Sequence, residues 1–120
     1  MKIAIVGSRS IAWVDVGKYV TEEDEIVSGG AVGVDRCAAD YARKNQIKLT
    51  ELLPQYERYG QAAPIVRNKE IVRYADKVVV FWDGKSRGSL SVMKYAKQIG
   101  KPCEVVCRDT EAQICSGFLV

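Results

Sequence analysis

Apolar and polar positions along the chain fall into short alternating blocks. Lys2-Ile3-Ala4-Ile5-Val6 is a β-branched run closed by Gly7-Ser8-Arg9-Ser10, the pattern of a buried strand ending in a turn. Ile11 to Val20 reads as a helix. Glu25-Ile26-Val27 predicts a second strand, and the glycine-rich segment Ser28 to Gly33 joins it to a helix from Val34 to Lys44. In that helix Val34, Cys37, Ala38, Tyr41 and Ala42 recur at helical spacing and form one apolar stripe. Ile47 to Leu53 predicts a third strand, followed by a polar loop from Pro54 to Gln61. A helix from Pro64 to Ala75 carries its proline in the first turn, where a missing N–H costs nothing. Val78-Val79-Val80-Phe81-Trp82 is the clearest strand. After the polar glycine loop Asp83 to Ser89, Leu90, Met93, Ala96 and Ile99 form the stripe of a last helix stopped by Gly100. Pro102 to Cys107 predicts a fifth strand, and residues 108–120 receive no assignment.

Strands alternating with helices over the whole length imply crossover connections and a parallel sheet covered on both faces. The expected fold is α/β, a single-domain Rossmann-like three-layer sandwich with a mainly parallel sheet of five or slightly more strands. The length of 120 residues suits one domain, here residues 1–120. The longest apolar run, Val78 to Trp82, falls far short of the roughly 20 residues needed to cross a bilayer. A cytoplasmic protein without membrane association is expected.

Composition narrows the chemistry. The chain contains no histidine, which excludes Ser-His-Asp and Cys-His catalysis. Its four cysteines, Cys37, Cys103, Cys107 and Cys115, contain no Cys-x-x-Cys spacing, so reduced thiols are expected and no metal. No cofactor is expected either. The net charge of +3 is modest and does not by itself point to nucleic acid.

In open parallel sheets, ligands bind beyond the carboxyl ends of the strands. The unusual residues fall there: Gly7-Ser8-Arg9 after the first strand, Ser28 to Asp35 after the second, the Tyr56 to Gln61 loop after the third, and Asp83 to Ser89 after the fourth. Glycines admit an anion close to backbone N–H groups, and a following helix adds the positive end of its dipole. Gly29, Gly30 and Gly33 fit that description, although a tight turn without ligand fits them too. Ser28-x-Gly30-x-x-Gly33 has serine where the dinucleotide fingerprint has its first glycine, and it follows the second strand. Gly84-Lys85-Ser86 looks like the end of a phosphate-binding P-loop, but the glycine required five residues earlier is Val79, inside a strand. Arg9, Arg36, Arg67 and Arg87 lie in or just after loops of the same edge and suit bidentate phosphate contacts or, singly, solvated ion pairs. Asp35 either caps its helix or bonds a ribose hydroxyl. Trp82 reads as core, and Tyr56 and Tyr59 as stacking or lid residues.

Four motifs in this order resemble the SLOG superfamily, which holds the lonely-guy phosphoribohydrolases and the Rossmann-like domain of DNA-processing protein A. They are Gly7-Ser8-Arg9, Ser28-Gly29-Gly30-Ala31-x-Gly33-Val34-Asp35, Arg67-Asn68, and Trp82-Asp83-Gly84-x-Ser86-x-Gly88-Ser89. Within that group the chain is most similar to small YspA-like bacterial proteins, over residues 1–102. The resemblance implies a nucleotide or nucleotide-derived ligand held by Gly7, Ser8, Arg9, Ser28, Gly29, Gly30, Gly33, Asp35, Arg67, Asn68, Asp83, Gly84, Ser86, Gly88 and Ser89, and a homodimer. The lonely-guy enzymes carry a glutamate just after their last loop, where this chain has Ser91 and Val92. Three functions are therefore expected in turn: a nucleotide-binding or sensing module, an N-glycosidase on nucleoside monophosphates with Asp83 or Asp35 as the carboxylate, and single-stranded DNA binding.

Overall fold

The computed structural model describes residues 1–107 in full and the backbone of residues 108 and 114–118. Strands β1 (Lys2–Gly7), β2 (Glu25–Ser28), β3 (Lys48–Glu51), β4 (Lys77–Trp82), β5 (Cys103–Arg108) and β6 (Ile114–Phe118) form one sheet in the order β3-β2-β1-β4-β5-β6. The first five are mutually parallel, and β6 pairs antiparallel with β5. Helices α1 (Val34–Lys44), α2 (Tyr56–Tyr59), α3 (Ala63–Tyr74) and α4 (Arg87–Ile99) connect them. The expected α/β three-layer class is what the chain adopts, and Ile114–Phe118, within the stretch given no assignment from sequence, supplies the antiparallel edge strand.

Alternation along each strand divides the core between the two faces. Ile3, Ile5, Ile26, Val79, Phe81 and Val106 face α1, whose Val34, Ala38 and Ala42 are fully buried against them. Ala4, Val6, Val27, Val78, Val80 and Val105 face α3 and α4, which contribute Ile71, Val72, Val92, Met93 and Ala96. The stripe expected on α4 holds through Ala96, while Ile99, at the helix end, is 42% exposed.

The helix expected over Ile11–Val20 is not formed. Only Val16–Lys18 makes a 3-10 turn, and the rest runs as an irregular strap. Its buried residues, Ile11, Val14, Val16 and Val20, do not share one helical face, and four β-branched side chains with Gly17 make a poor helix. The strap lies over α1 instead. Val14 accepts from and donates to Cys37 Sγ, and a Cβ on Gly17 would come within 2.6 Å of Tyr41 Oη. Conversely, the loop expected from Pro54 to Gln61 contains the short α2 and a 3-10 turn at Gly60–Ala62.

The amino edge of the sheet holds a structural knot around Glu25. Tyr74 Oη and Thr50 Oγ1 donate to its carboxylate at 2.6 and 2.7 Å, and Lys48 Nζ pairs with it at 3.2 Å. The Tyr74 hydroxyl, aided by Thr50 and Lys48 against the opposing effect of burial, holds this carboxyl at about 2. A depressed carboxyl stabilises the fold above its unfolded value, and that contribution is lost as pH falls toward 2. Urea unfolding at pH 7 and pH 3 is expected to show a larger acid loss in the wild type than in Glu25→Gln.

Candidate functional site

β2 and β3 extend the sheet to one side of β1 while β4 continues it to the other, so the strand order reverses between β1 and β4. Crossover helices diverge at such a switch point and leave a crevice at the carboxyl ends. A cleft of about 360 Å³ opens there. Gly7 and Arg9 from the β1 loop, Asp35 from α1, Arg67 and Asn68 from α3, and Asp83, Ser86, Gly88 and Ser89 from the β4–α4 connection all line it.

The other expected site residues hold the walls. Ser8 is buried, and its hydroxyl accepts from Asp83 N at 3.1 Å, tying the β1 loop to the β4 loop. Ser28 Oγ donates to Asp35 O and accepts from Gly30 N, both at 3.3 Å. Gly33, at φ +79°, brings the strand-to-helix loop within touching distance of the β1 loop: a Cβ there would lie 2.8 Å from Arg9 O and 2.9 Å from Ile11 O. Gly30 and Gly84 also have positive φ and are exposed outside the cleft. Arg36 is exposed on α1, and Arg87 lines a separate surface groove with Lys69, Lys94 and Tyr95. Trp82 packs half-buried on the α3–α4 side and donates Nε1 to Ser86 O at 3.0 Å. Tyr56 is exposed, and Tyr59 lies under the Arg58 guanidinium.

The glycine loop, α1 and α3 meet at Asp35 and Arg67. Asp35 does not cap its own helix; its Oδ2 accepts from Ala31 N at 3.2 Å, and Gly29 N also donates to the carboxylate. Arg67 donates Nη1 to Gly29 O at 2.6 Å and Nε to Asn68 Oδ1 at 2.9 Å. A Cβ on Gly29 would fall 2.7 Å from Arg67 Nη1 and 2.9 Å from Asp35 Oδ2, so the bare backbone permits this approach. Burial raises the Asp35 carboxyl above the ordinary aspartate range despite those N–H donors and the nearby Arg67 and Arg9. Burial likewise lowers the Arg67 guanidinium, with Asp35 opposing the shift. Neither charge is in its preferred solvent, a condition concentrated at functional sites.

Asp83 behaves differently. Burial pushes its carboxyl up, but Ser10 Oγ at 2.7 Å, Lys85 N and Ser86 N each at 2.8 Å, and Ser8 outweigh that and hold it at about 2. It is an ionised anchor for the loop that starts α4. Ser86 caps that helix, accepting from Ser89 N at 3.3 Å. The N–H groups of Arg87 and Gly88, in the first turn, have no acceptor within the helix, and no acidic residue stands in that turn. A Cβ at Gly88 would meet only Ser86 Oγ, at 4.0 Å, so packing does not demand glycine there. Its effect is to leave the helix N-terminus open to the cleft.

Two cations and two carboxylates give the cleft a formal charge of zero. The cleft therefore offers an anion oriented donors, the α4 N-terminus and the guanidinium N–H groups of Arg67 and Arg9, and no excess of positive charge. Sequence reasoning overlooked Ser10, which stands beside Arg9 and fixes Asp83, and the apolar walls Val6, Pro64, Ile71 and Val92. A signal for the α3 wall exists: Pro64, Arg67, Asn68 and Ile71 follow i, i+3, i+4, i+7 and so share one helical face. No protein-family model matches the chain, and no curated protein matches it.

Proposed function

We propose that the cleft binds a nucleotide or nucleotide-derived small molecule, with its phosphate at the N-terminus of α4 and against Arg9 and Arg67. One observation carries this reading: a 13-residue helix turns an acid-free first turn, with the Gly88 N–H lacking an acceptor within the helix, toward a cleft that also holds two arginines. Asp35, with its carboxyl facing the cleft, is placed to accept a hydrogen bond from a sugar hydroxyl. The resemblance of the four loops to the SLOG superfamily supports the same ligand class. In this reading the protein is a cytoplasmic binding or sensing module that works as a homodimer.

Thermal shift and calorimetry with nucleoside monophosphates test it. Saturable binding is expected in the wild type. Gly88→Ala is expected to raise the Tm, since alanine is favoured over glycine in a helix by roughly 0.5–1 kcal/mol, and to weaken the ligand by placing a methyl group at the phosphate site. A variant that gains stability and keeps full affinity contradicts the placement.

A second reading, cleavage of the N-glycosidic bond, rests on Asp35. A buried carboxylate beside Arg67 at the cleft wall is a suitable stabiliser for an oxocarbenium-like centre. Asp83 is less suited, because its hydrogen bonds are committed to its own loop. Release of free base from a nucleoside monophosphate, lost in Asp35→Asn, distinguishes the enzyme from the module.

A further inference from the structure

The antiparallel pairing of β5 with β6 sets Cys107 directly opposite Cys115. Directly opposed residues of neighbouring antiparallel strands share one face of the sheet, with Cα atoms about 4.5 or 5.5 Å apart according to the hydrogen-bonding class of the pair. A disulfide spans Cα separations of about 4.4–6.8 Å. Either class meets that requirement without moving the backbone. We propose that Cys107 and Cys115 form a thiol–disulfide couple that closes reversibly across β5 and β6.

The remaining cysteines are not placed to compete. Cys103 is on the same strand four residues away, about 13 Å along it. Its Cα partner on β4 is Val78, and burial pushes its thiol up to about 11, so little reactive thiolate forms. Cys37 belongs to the opposite face of the sheet, where its Sγ is engaged with Val14 N and O. Cys107 is half-buried at the margin of the α3–α4 core, next to Trp82 in the register, and not sealed within it.

The oxidant is a low-molecular-weight disulfide. The thiolate of one cysteine attacks a sulfur of that disulfide, forming a mixed disulfide and releasing one small thiol. The thiolate of the second cysteine then attacks the protein sulfur of the mixed disulfide and expels the other small thiol. Two electrons pass from the cysteine pair to the small disulfide, and the two cysteine protons end on the released thiols. Because β6 is the sheet edge and its strand neighbour is β5, the bond fixes this strand to the sheet. Its chemistry is independent of the proposed nucleotide site.

The test uses the full chain in glutathione buffers of rising disulfide-to-thiol ratio, followed by acid quench, alkylation and peptide mapping. One linked peptide pair joining Cys107 to Cys115 is expected, with a single midpoint and full reversal by dithiothreitol. The oxidised protein is expected to melt higher than the reduced one. Cys107→Ser and Cys115→Ser each abolish the link, whereas Cys37→Ala keeps it. Thiols that remain free at both positions at every ratio, stable glutathione adducts that never close, or links to Cys37, Cys103 or a second chain overturn the proposal.

Discussion

Arg67→Ala weakens nucleoside monophosphate binding by roughly 10- to 150-fold, the equivalent of losing a charged hydrogen bond of about 1.5–3 kcal/mol. The guanidinium uses Nη1 on Gly29 O and Nε on Asn68 Oδ1, which fixes its plane against the glycine loop and α3; among the described residues its other N–H groups have no acceptor and can turn to a ligand. The same substitution takes the positive charge away from Asp35, a carboxylate already disfavoured by burial. The free protein is therefore also expected to lose stability at pH 7. Arg67→Lys restores the charge but not the planar fork, so it recovers stability more fully than affinity. Calorimetry and urea unfolding on the three proteins check both effects, and unchanged affinity in Arg67→Ala would falsify the assignment of this arginine.

Gly33→Ala is expected to destabilise the fold by roughly 2–5 kcal/mol, combining left-handed backbone strain with forced overpacking. The added methyl would be 2.8 Å from Arg9 O, 2.9 Å from Ile11 O and 3.0 Å from Arg9 Cα, all backbone atoms that cannot swing aside. Against a typical total of about 5–15 kcal/mol, such a loss approaches global unfolding. Gly84→Ala is the control. Its φ of +84° is likewise positive, yet a Cβ there meets nothing within 4 Å. A markedly smaller loss of urea stability is expected there. Equal losses at the two positions would show that strain dominates and that the contact between the β1 loop and the glycine loop contributes little.

The parts of this fold that were legible in the sequence are those where one local rule decides. Val78 to Trp82 is apolar on both faces because a central parallel strand is covered twice, and Gly100 ends α4 in the left-handed conformation at φ +74° that glycine favours. The strap over Ile11 to Val20 reads as a helix in sequence but forms no α-helix, because its apolar residues answer to a tertiary surface, the flank of α1, and not to a helical period. The edge strand β6 was invisible for a related reason. An edge strand paired on one side only carries a weak alternating pattern, and antiparallel return onto β5 is not encoded in the βα rhythm that precedes it.

The candidate site was legible as a set of loops but not as a division of labour. Nine of the fifteen residues named from sequence line the cleft, whereas Ser8, Ser28, Gly29, Gly30, Gly33 and Gly84 shape or support its loops. Nothing in the one-dimensional pattern separates Asp35 from Asp83. Both are aspartates beside glycine loops, and only the three-dimensional hydrogen bonds make one an ionised anchor and the other a buried carboxyl beside Arg67. Asp35 also turns back to the Ala31 and Gly29 amides and leaves its own helix uncapped, a choice that depends on Gly29 lacking a side chain.

The central claim concerns where a phosphate sits. An amide-resolved NMR titration of the full chain with a nucleoside monophosphate reads that location directly. The account predicts saturable shifts largest at Gly88 and Ser89, with smaller ones at Arg9, Ala31 and Arg67, and little change at Glu25 on the opposite edge of the sheet. Saturable shifts centred elsewhere, or no saturable shifts at all, would contradict it.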